Sequence, residues 1–269
     1  MGLASTLVLL LGLAHAADPA PLPDRARVVK VYDGDTLTLH TGDKVRLKWV
    51  NTTELRPPEP YSMEARDAAA KLVMGKEVEL IYSKTGDNRD GYGRLVAGVK
   101  TDDTELSLHL LELGLGHVFI IPPDDRDPSD LLAAQERARA AKRGMWADKE
   151  FQGPVRMTSF HANGRGDDAR YVNGEYLRIC NISSAPLDLS QFRLRNMAGK
   201  TFDIPKVVIP PGHTVKLHSG KGTPQTSADR QLTSYLGSDV PVYDNKRDRV
   251  ELIDSDGHVV ARREHRTRN

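Results

Sequence analysis

From residue 27 onward, apolar and polar side chains alternate in short runs, the period expected of strands with one face on a core. Residues 27–39 alternate around Asp33-Gly34-Asp35 and predict a hairpin, with Val29 and Val31, then Leu37 and Leu39, facing inward. Val45-Arg46-Leu47-Lys48-Trp49-Val50 alternates again, which sets Val45, Leu47 and Trp49 on one face and Arg46 and Lys48 on the other. A Pro-rich loop over 56–60 leads into a predicted helix over 62–74, ended by Gly75. Strands are predicted over 77–82 and 94–99, joined by a polar loop over 83–93. Thr104 is the expected cap of a helix over 105–113 stopped by Gly114, and Ser129 of a helix over 130–143 stopped by Gly144. Short strands with interspersed helices predict a small α+β barrel.

After Phe151 the pattern changes. No helical period survives, and short apolar runs alternate with Gly, Pro, Asn and Ser clusters. Strands are predicted over 175–181, 191–195, Thr214–His218, 250–254 and 258–262, with turns at Pro210-Pro211-Gly212 and Asp256-Gly257. That spacing predicts a β-sandwich, joined to the barrel by a linker near 148–156.

Length and composition agree with this division. The chain has 269 residues, enough for two cores, and its 39% apolar and 28% charged content excludes a disordered protein. The net charge of +1 does not by itself announce a polyanion partner. The halves differ, however: residues 17–150 carry 20 Lys and Arg against 24 Asp and Glu, whereas residues 151–269 carry 18 against 13.

Residues 1–16 read as a secretory leader, with an apolar core over 7–13 and Ala14-His15-Ala16 as a small-x-small cleavage site. The run is too short to span a bilayer, and Asp18, Pro19, Pro21 and Pro23 break any helical continuation. No Lys or Arg precedes the apolar core. A secreted or periplasmic location is expected. Cys180 is the only cysteine, which excludes an intramolecular disulfide and a cysteine-based zinc site; its apolar run predicts a buried structural thiol. The nine histidines lack metal-ligand spacing, and no Gly-x-Ser-x-Gly, P-loop or dinucleotide fingerprint occurs. His117, His213 and His218 are assigned to core or surface.

The candidate chemistry lies at strand ends of the first half. Asp33-Gly34-Asp35-Thr36 offers two carboxylates flanking a glycine, an arrangement that suits a hard cation and equally an ordinary hairpin turn. Arg46 to Glu54 runs from a strand arginine through Asn51, Thr52 and Thr53 to a glutamate. Asp90-Gly91-Tyr92-Gly93-Arg94 brings a second arginine out of a tight loop. Each piece alone also reads as solvated charge; their order is carboxylate, arginine, carboxylate, arginine.

This series resembles the staphylococcal (micrococcal) nuclease family over about residues 27–147, closing with Gly144-Met145-Trp146. The resemblance implies a five-stranded OB-fold barrel with three helices that cuts DNA and RNA with calcium. It aligns Asp35 with a calcium-binding aspartate and Thr52 with a residue whose carbonyl joins the metal shell. Arg46 and Arg94 align with phosphate-binding arginines, and Glu54 with the glutamate that positions or deprotonates the attacking water. Asp90 and Tyr92 fall near the nucleotide-binding loop. The family's pattern implies cleavage of the bond to the 5′ oxygen, leaving 3′-phosphate ends.

Two departures bear on this expectation. Asn51 stands where the family has a second calcium-binding aspartate; its carbonyl still ligates calcium, but one negative charge is lost, so weaker calcium binding or use of another divalent cation is expected. Val118-Phe119-Ile120-Ile121 stands where the family often has base-stacking tyrosines.

The second half resembles the lamin-tail domain, an immunoglobulin-like sandwich, over about residues 155–263. Gly174 to Asn181, Leu187-Asp188-Leu189-Ser190, Ile209-Pro210-Pro211-Gly212 and Arg249 to Asp254 carry the likeness. It implies binding rather than catalysis. The positive balance, with Arg262, Arg263, Arg266 and Arg268 near the end, suits an anchor for a polyanion and equally an idle basic surface. Two other readings remain open at this stage: a nucleic-acid-binding module without turnover, and an envelope-associated structural protein.

Overall fold

In the computed structural model, which describes residues 21–164 and 170–267, the predicted alternation becomes a closed barrel. The leader expected over 1–16 lies outside the described residues. The first strands are β1 (Arg25–Val31), β2 (Thr36–Leu39), β3 (Lys44–Leu47) and β4 (Trp49–Thr52), followed by helix α1 (Ser62–Val73). Then come β5 (Glu77–Ile81), β6 (Leu95–Thr101), the short β7 (Thr104–Glu105), α2 (Leu106–Glu112), β8 (Gly116–Phe119) and α3 (Ser129–Ala140). The order β3-β2-β1-β5-β6 closes through parallel pairing of β3 with β6, Val45 opposite Leu95, and β7 extends the edge of β6. β4 leaves the barrel to pair with β8.

Three expectations are corrected. Val29 is 48% exposed, and Val28 is buried instead, because a bulge between Val28 and Lys30 shifts the inward face by one residue. Thr104 does not cap α2; it lies in β7, and Glu105 occupies the cap position without a side-chain capping bond, its carboxylate accepting from Arg126 instead. Ser129 is already helical and caps nothing: its N–H and hydroxyl both donate to the Asp127 carboxylate, which does the capping work.

The second unit is a sandwich of two four-stranded sheets. It contains β9 (Val155–His161), β10 (Tyr176–Asn181), β11 (Leu187–Asp188), β12 (Arg193–Arg195), β13 (Thr201–Asp203) and β14 (Val208–Ile209). β15 (Thr214–His218), β16 (Leu232–Tyr235), β17 (Arg247–Ile253) and β18 (Val259–Arg266) complete it. The sheets run β16-β15-β10-β9 and β13-β12-β17-β18, and Leu177, Ile179, Val215 and Leu217 of the first meet Leu194, Val250 and Leu252 of the second. β9, β13 and β16 were not expected from the sequence; β13 and β16 are three or four residues long and half polar.

The two units share a core. Phe151 and Trp146 are buried with Cys180 and Ile182 of the sandwich, and Phe119 packs against the same cluster. Ile120 donates its N–H to the Gly212 carbonyl at 2.8 Å, and Thr214 donates its N–H to the Ile120 carbonyl at 3.1 Å. The buried Gln135 amide bridges them, accepting from Val118 N–H at 2.7 Å and donating to the Ile182 carbonyl at 3.2 Å. These contacts fix where the sandwich stands relative to the end of β8, and therefore to the cleft beside it.

Candidate active site

The turn between β1 and β2 is set by Gly34. A Cβ there would lie 2.6 Å from Thr52 Cγ2 and 2.8 Å from Ala65 Cβ, so only glycine lets the turn press against β4 and α1. Both flanking carboxylates are thereby buried, Asp33 and Asp35 each at 7% exposure. Asp35 Oδ2 accepts from Thr52 N–H at 2.8 Å and Thr52 Oγ1 at 3.1 Å, and Arg46 Nη1 lies 3.1 Å away. Burial and then the Asp35 charge push the Asp33 carboxyl up to about 7, although Arg46 and the Thr36 hydroxyl oppose the shift.

Arg46 extends from the polar face of β3. It donates to the Leu47 and Val50 carbonyls, both at 3.1 Å, and to Asn51 Oδ1 at 2.8 Å. Asn51 in turn donates to the Thr52 carbonyl at 3.1 Å. The Arg46 guanidinium sits 5.7 Å from the centre of the Phe119 ring. These contacts leave its Nε–H and one Nη2 hydrogen without a partner among the described residues.

Glu54 follows β4. Burial first, then the charge of Asp35, raises its carboxyl above the ordinary glutamate range, while Arg263 and Arg46 pull it back. Its backbone N–H donates to Glu59 Oε2 at 3.0 Å. Glu59 is gripped from the sandwich by Arg156 at 3.2 Å and Arg263 at 2.8 Å. The second unit thus holds the loop that carries Glu54.

On the opposite rim Asp90 organises its loop, accepting from Tyr92 N–H at 2.9 Å, Arg94 N–H at 3.0 Å and Arg94 Nε at 2.7 Å. Asp90 is therefore an orienting group for Arg94, whose terminal nitrogens stay free among the described residues. Tyr92 is 85% exposed, 5.5 Å from the Arg94 guanidinium.

A cleft of about 830 Å³ joins these groups: Asp33, Asp35, Arg46, Asn51, Glu54, Asp90, Tyr92 and Arg94 all line it. Thr52 lies behind the wall, buried, its hydroxyl and N–H turned to Asp35. The structure adds residues that sequence reasoning did not select. Asp33 points inward. Phe119 and Ile121 form an apolar flank. Asp124 lines the cleft, pairing with Lys48 at 2.8 Å and accepting from Trp49 Nε1 at 3.1 Å, so that Lys48 is neutralised. Thr158, Ser159, Tyr176 and Arg178 of the sandwich close the far side. The alternation of Tyr176 and Arg178 with buried Leu177 and Ile179 was the available signal for the last two.

The donor set suits a hard divalent cation. Asp33, Asp35 and Glu54 share the cleft with Arg46, burial disfavours the charge on two of them, and the ligand atoms they offer are all oxygen, although the three carboxylates do not converge within 4.8 Å of one another. Thr53 Oγ1, next to Glu54, is buried with no partner among the described residues. The Asn51 side-chain oxygen, by contrast, already accepts from Arg46.

Residues 44–148 match the staphylococcal nuclease homologue family, and residues 150–267 match the lamin tail domain. An uncharacterized endonuclease of Escherichia coli is 32% identical over 125 residues, 46% of this chain and 78% of that protein. Endonuclease YncB of Bacillus subtilis is 31% identical over 130 residues, 45% of this chain and 61% of that protein. The thermonuclease of Staphylococcus intermedius is 29% identical over 126 residues, 44% of this chain and 74% of that protein.

Proposed function

The chain belongs to the staphylococcal nuclease family, and from that premise we propose an extracytoplasmic, divalent-cation-dependent endonuclease that hydrolyses DNA and RNA to 3′-phosphate products. Its catalytic unit would span about 27–147 and its lamin-tail unit about 155–263. Support for export is the leader-like pattern of residues 1–16. The observation that carries the catalytic reading is the cleft itself, with acids and an arginine on one side and Arg94 on the other.

Each side chain has a task suited to its chemistry. Arg46 and Arg94 offer planar forks of N–H donors to the non-bridging phosphate oxygens, which lysine cannot match. Asp90 holds Arg94 in place for that contact. Tyr92, exposed on the cleft rim, would contact the nucleotide. Glu54 orders the attacking water and takes its proton, and a carboxylate raised by burial is a stronger base for that step. The water oxygen bonds to phosphorus, the bond to the 5′ oxygen breaks, and that oxygen leaves with a proton from solvent. Asp35, with Asn51, the Thr52 carbonyl and Asp33, would hold the cation, calcium first among them. Such an ion supplies charge that polarises the phosphoryl oxygens.

The hydrogen bond between Arg46 and Asn51 favours one other reading, a recognition module that binds nucleic acid without turnover. Digestion of an end-labelled DNA and RNA strand in calcium, with the termini analysed, separates the two. We expect 3′-phosphate ends and a rate lowered roughly 10²–10⁴-fold in Glu54→Gln, the usual loss on removing a general base. Retained binding with no cleavage in calcium, magnesium or manganese would establish the recognition module instead.

A further inference from the structure

The sandwich wall of the cleft continues into a surface of unusual composition. The sheet β16-β15-β10-β9 buries one face in the sandwich core and turns the other outward. On the outward face, Tyr176 stands opposite His161 on β9 and His218 on β15, and His218 stands opposite Tyr235 on β16. Four rings therefore form one row across four strands. Their centres are 5.0 Å apart for His161–Tyr176, 5.9 Å for Tyr176–His218 and 5.3 Å for His218–Tyr235, and the first and last pairs are stacked face to face, so the row turns ring edges outward.

A cationic row runs beside it. Arg178 stands opposite Lys216, and Lys216 Nζ lies 3.9 Å from the centre of the Tyr176 ring. Arg178 donates only to neutral oxygens, Thr214 Oγ1 at 3.3 Å and Gln231 Oε1. No carboxylate among the described residues pairs with either cation; burial lowers the pKa of both, and the Arg178 charge adds to the shift of Lys216. Tyr176 and Arg178 belong at once to this face and to the cleft.

We propose that this face is a binding platform for single-stranded nucleic acid, continuous with the cleft, on which bases lay their faces across the outward ring edges while phosphates run along Arg178 and Lys216. The inference rests on the nuclease reading of the cleft and extends it to the substrate class. Rings interleaved with cations suit a single strand because its bases expose their faces, whereas a duplex hides them in its own stack. With no carboxylate among the described residues paired to them, Arg178 and Lys216 keep positive charge for phosphate, and the shared residues lead a strand from the platform to Arg46 and Arg94.

The test is equilibrium binding of the full chain to phosphorothioate oligothymidylates of ~3 and ~12 nucleotides, lengths chosen to fill the cleft alone or the cleft plus several base-stacking positions. Affinity is expected to rise with length. Tyr235→Leu and His161→Leu, at the two ends of the row, should each weaken binding of the longer strand roughly three- to tenfold, the scale of one edge-to-face ring contact, and Tyr235→Phe should keep wild-type binding. Lys216→Gln should reduce the salt slope by about 0.7, as expected for one single-strand phosphate contact. Equal affinity for both lengths, or wild-type binding of the longer strand by the leucine and glutamine variants, overturns the platform. Equal losses for a duplex of the same length overturn its single-strand assignment. If the shorter strand fails to bind the wild-type chain at all, it is the reading of the cleft that fails, a result separable from these.

Discussion

The two walls of the cleft are built to opposite charge rules. On the barrel side Asp33, Asp35 and Glu54 surround Arg46, and burial raises two of the three acids. On the sandwich side Arg178 and Lys216 stand together with no acid paired to them among the described residues, and burial lowers the pKa of both. Uncompensated charge in a half-buried position is costly, so a fold retains it where a ligand completes the balance. One wall therefore suits a cation and the other a polyanion. The net charge of +1 conceals this division completely.

The strongest way to break the contrast is to replace Arg46, the cation inside the acid wall. Arg46→Lys keeps the charge but loses the fork that spans Asp35, Asn51 and two backbone carbonyls. Its kcat should fall roughly 10²–10³-fold, the scale for one preorganised donor, and a steady-state assay on DNA reads this directly.

A smaller effect concerns what holds the walls together. His117 is buried beneath the junction, its Nδ1 bonded to the Val118 carbonyl at 2.9 Å and its Nε2 without a partner among the described residues. Burial pushes its pKa down to about 3, with the nearby Arg156 charge adding to the shift. The unfolded chain therefore takes the proton first. Stability from this residue is complete above pH ~6.5 and is lost as pH falls toward 3, at up to about 1.4 kcal/mol per pH unit. The gap in thermal stability between the wild-type chain and His117→Asn should change with that slope between pH 7 and 5, since Asp33, raised to about 7, acts with the opposite sign but equally in both. An unchanged slope in the variant would remove His117 from the account.

Much of this was legible in the residues, for reasons that differ along the chain. The barrel strands announce themselves because each has one wet face, and the glycine stops at 75, 114 and 144 all adopt positive φ. Val29 misled because a bulge is a tertiary accommodation that leaves no mark on alternation. Asp35, Arg46, Glu54 and Arg94 could be selected together because each ends or borders a strand. The inward aim of Asp33 could not be, since it depends on Gly34 meeting Thr52 and Ala65 from elsewhere in the chain. The second wall was hidden for the same reason. Its ring row exists only once the register of four strands is fixed, and the shortest of them, Leu232–Tyr235, carries little strand signal of its own.

The most direct test of the central claim is cleavage of DNA by the full chain freed of metal by chelation, followed by titration with calcium. The acid wall predicts no turnover in chelator and saturable recovery as calcium is added, lost in Asp35→Asn. Undiminished cleavage in excess chelator would contradict it.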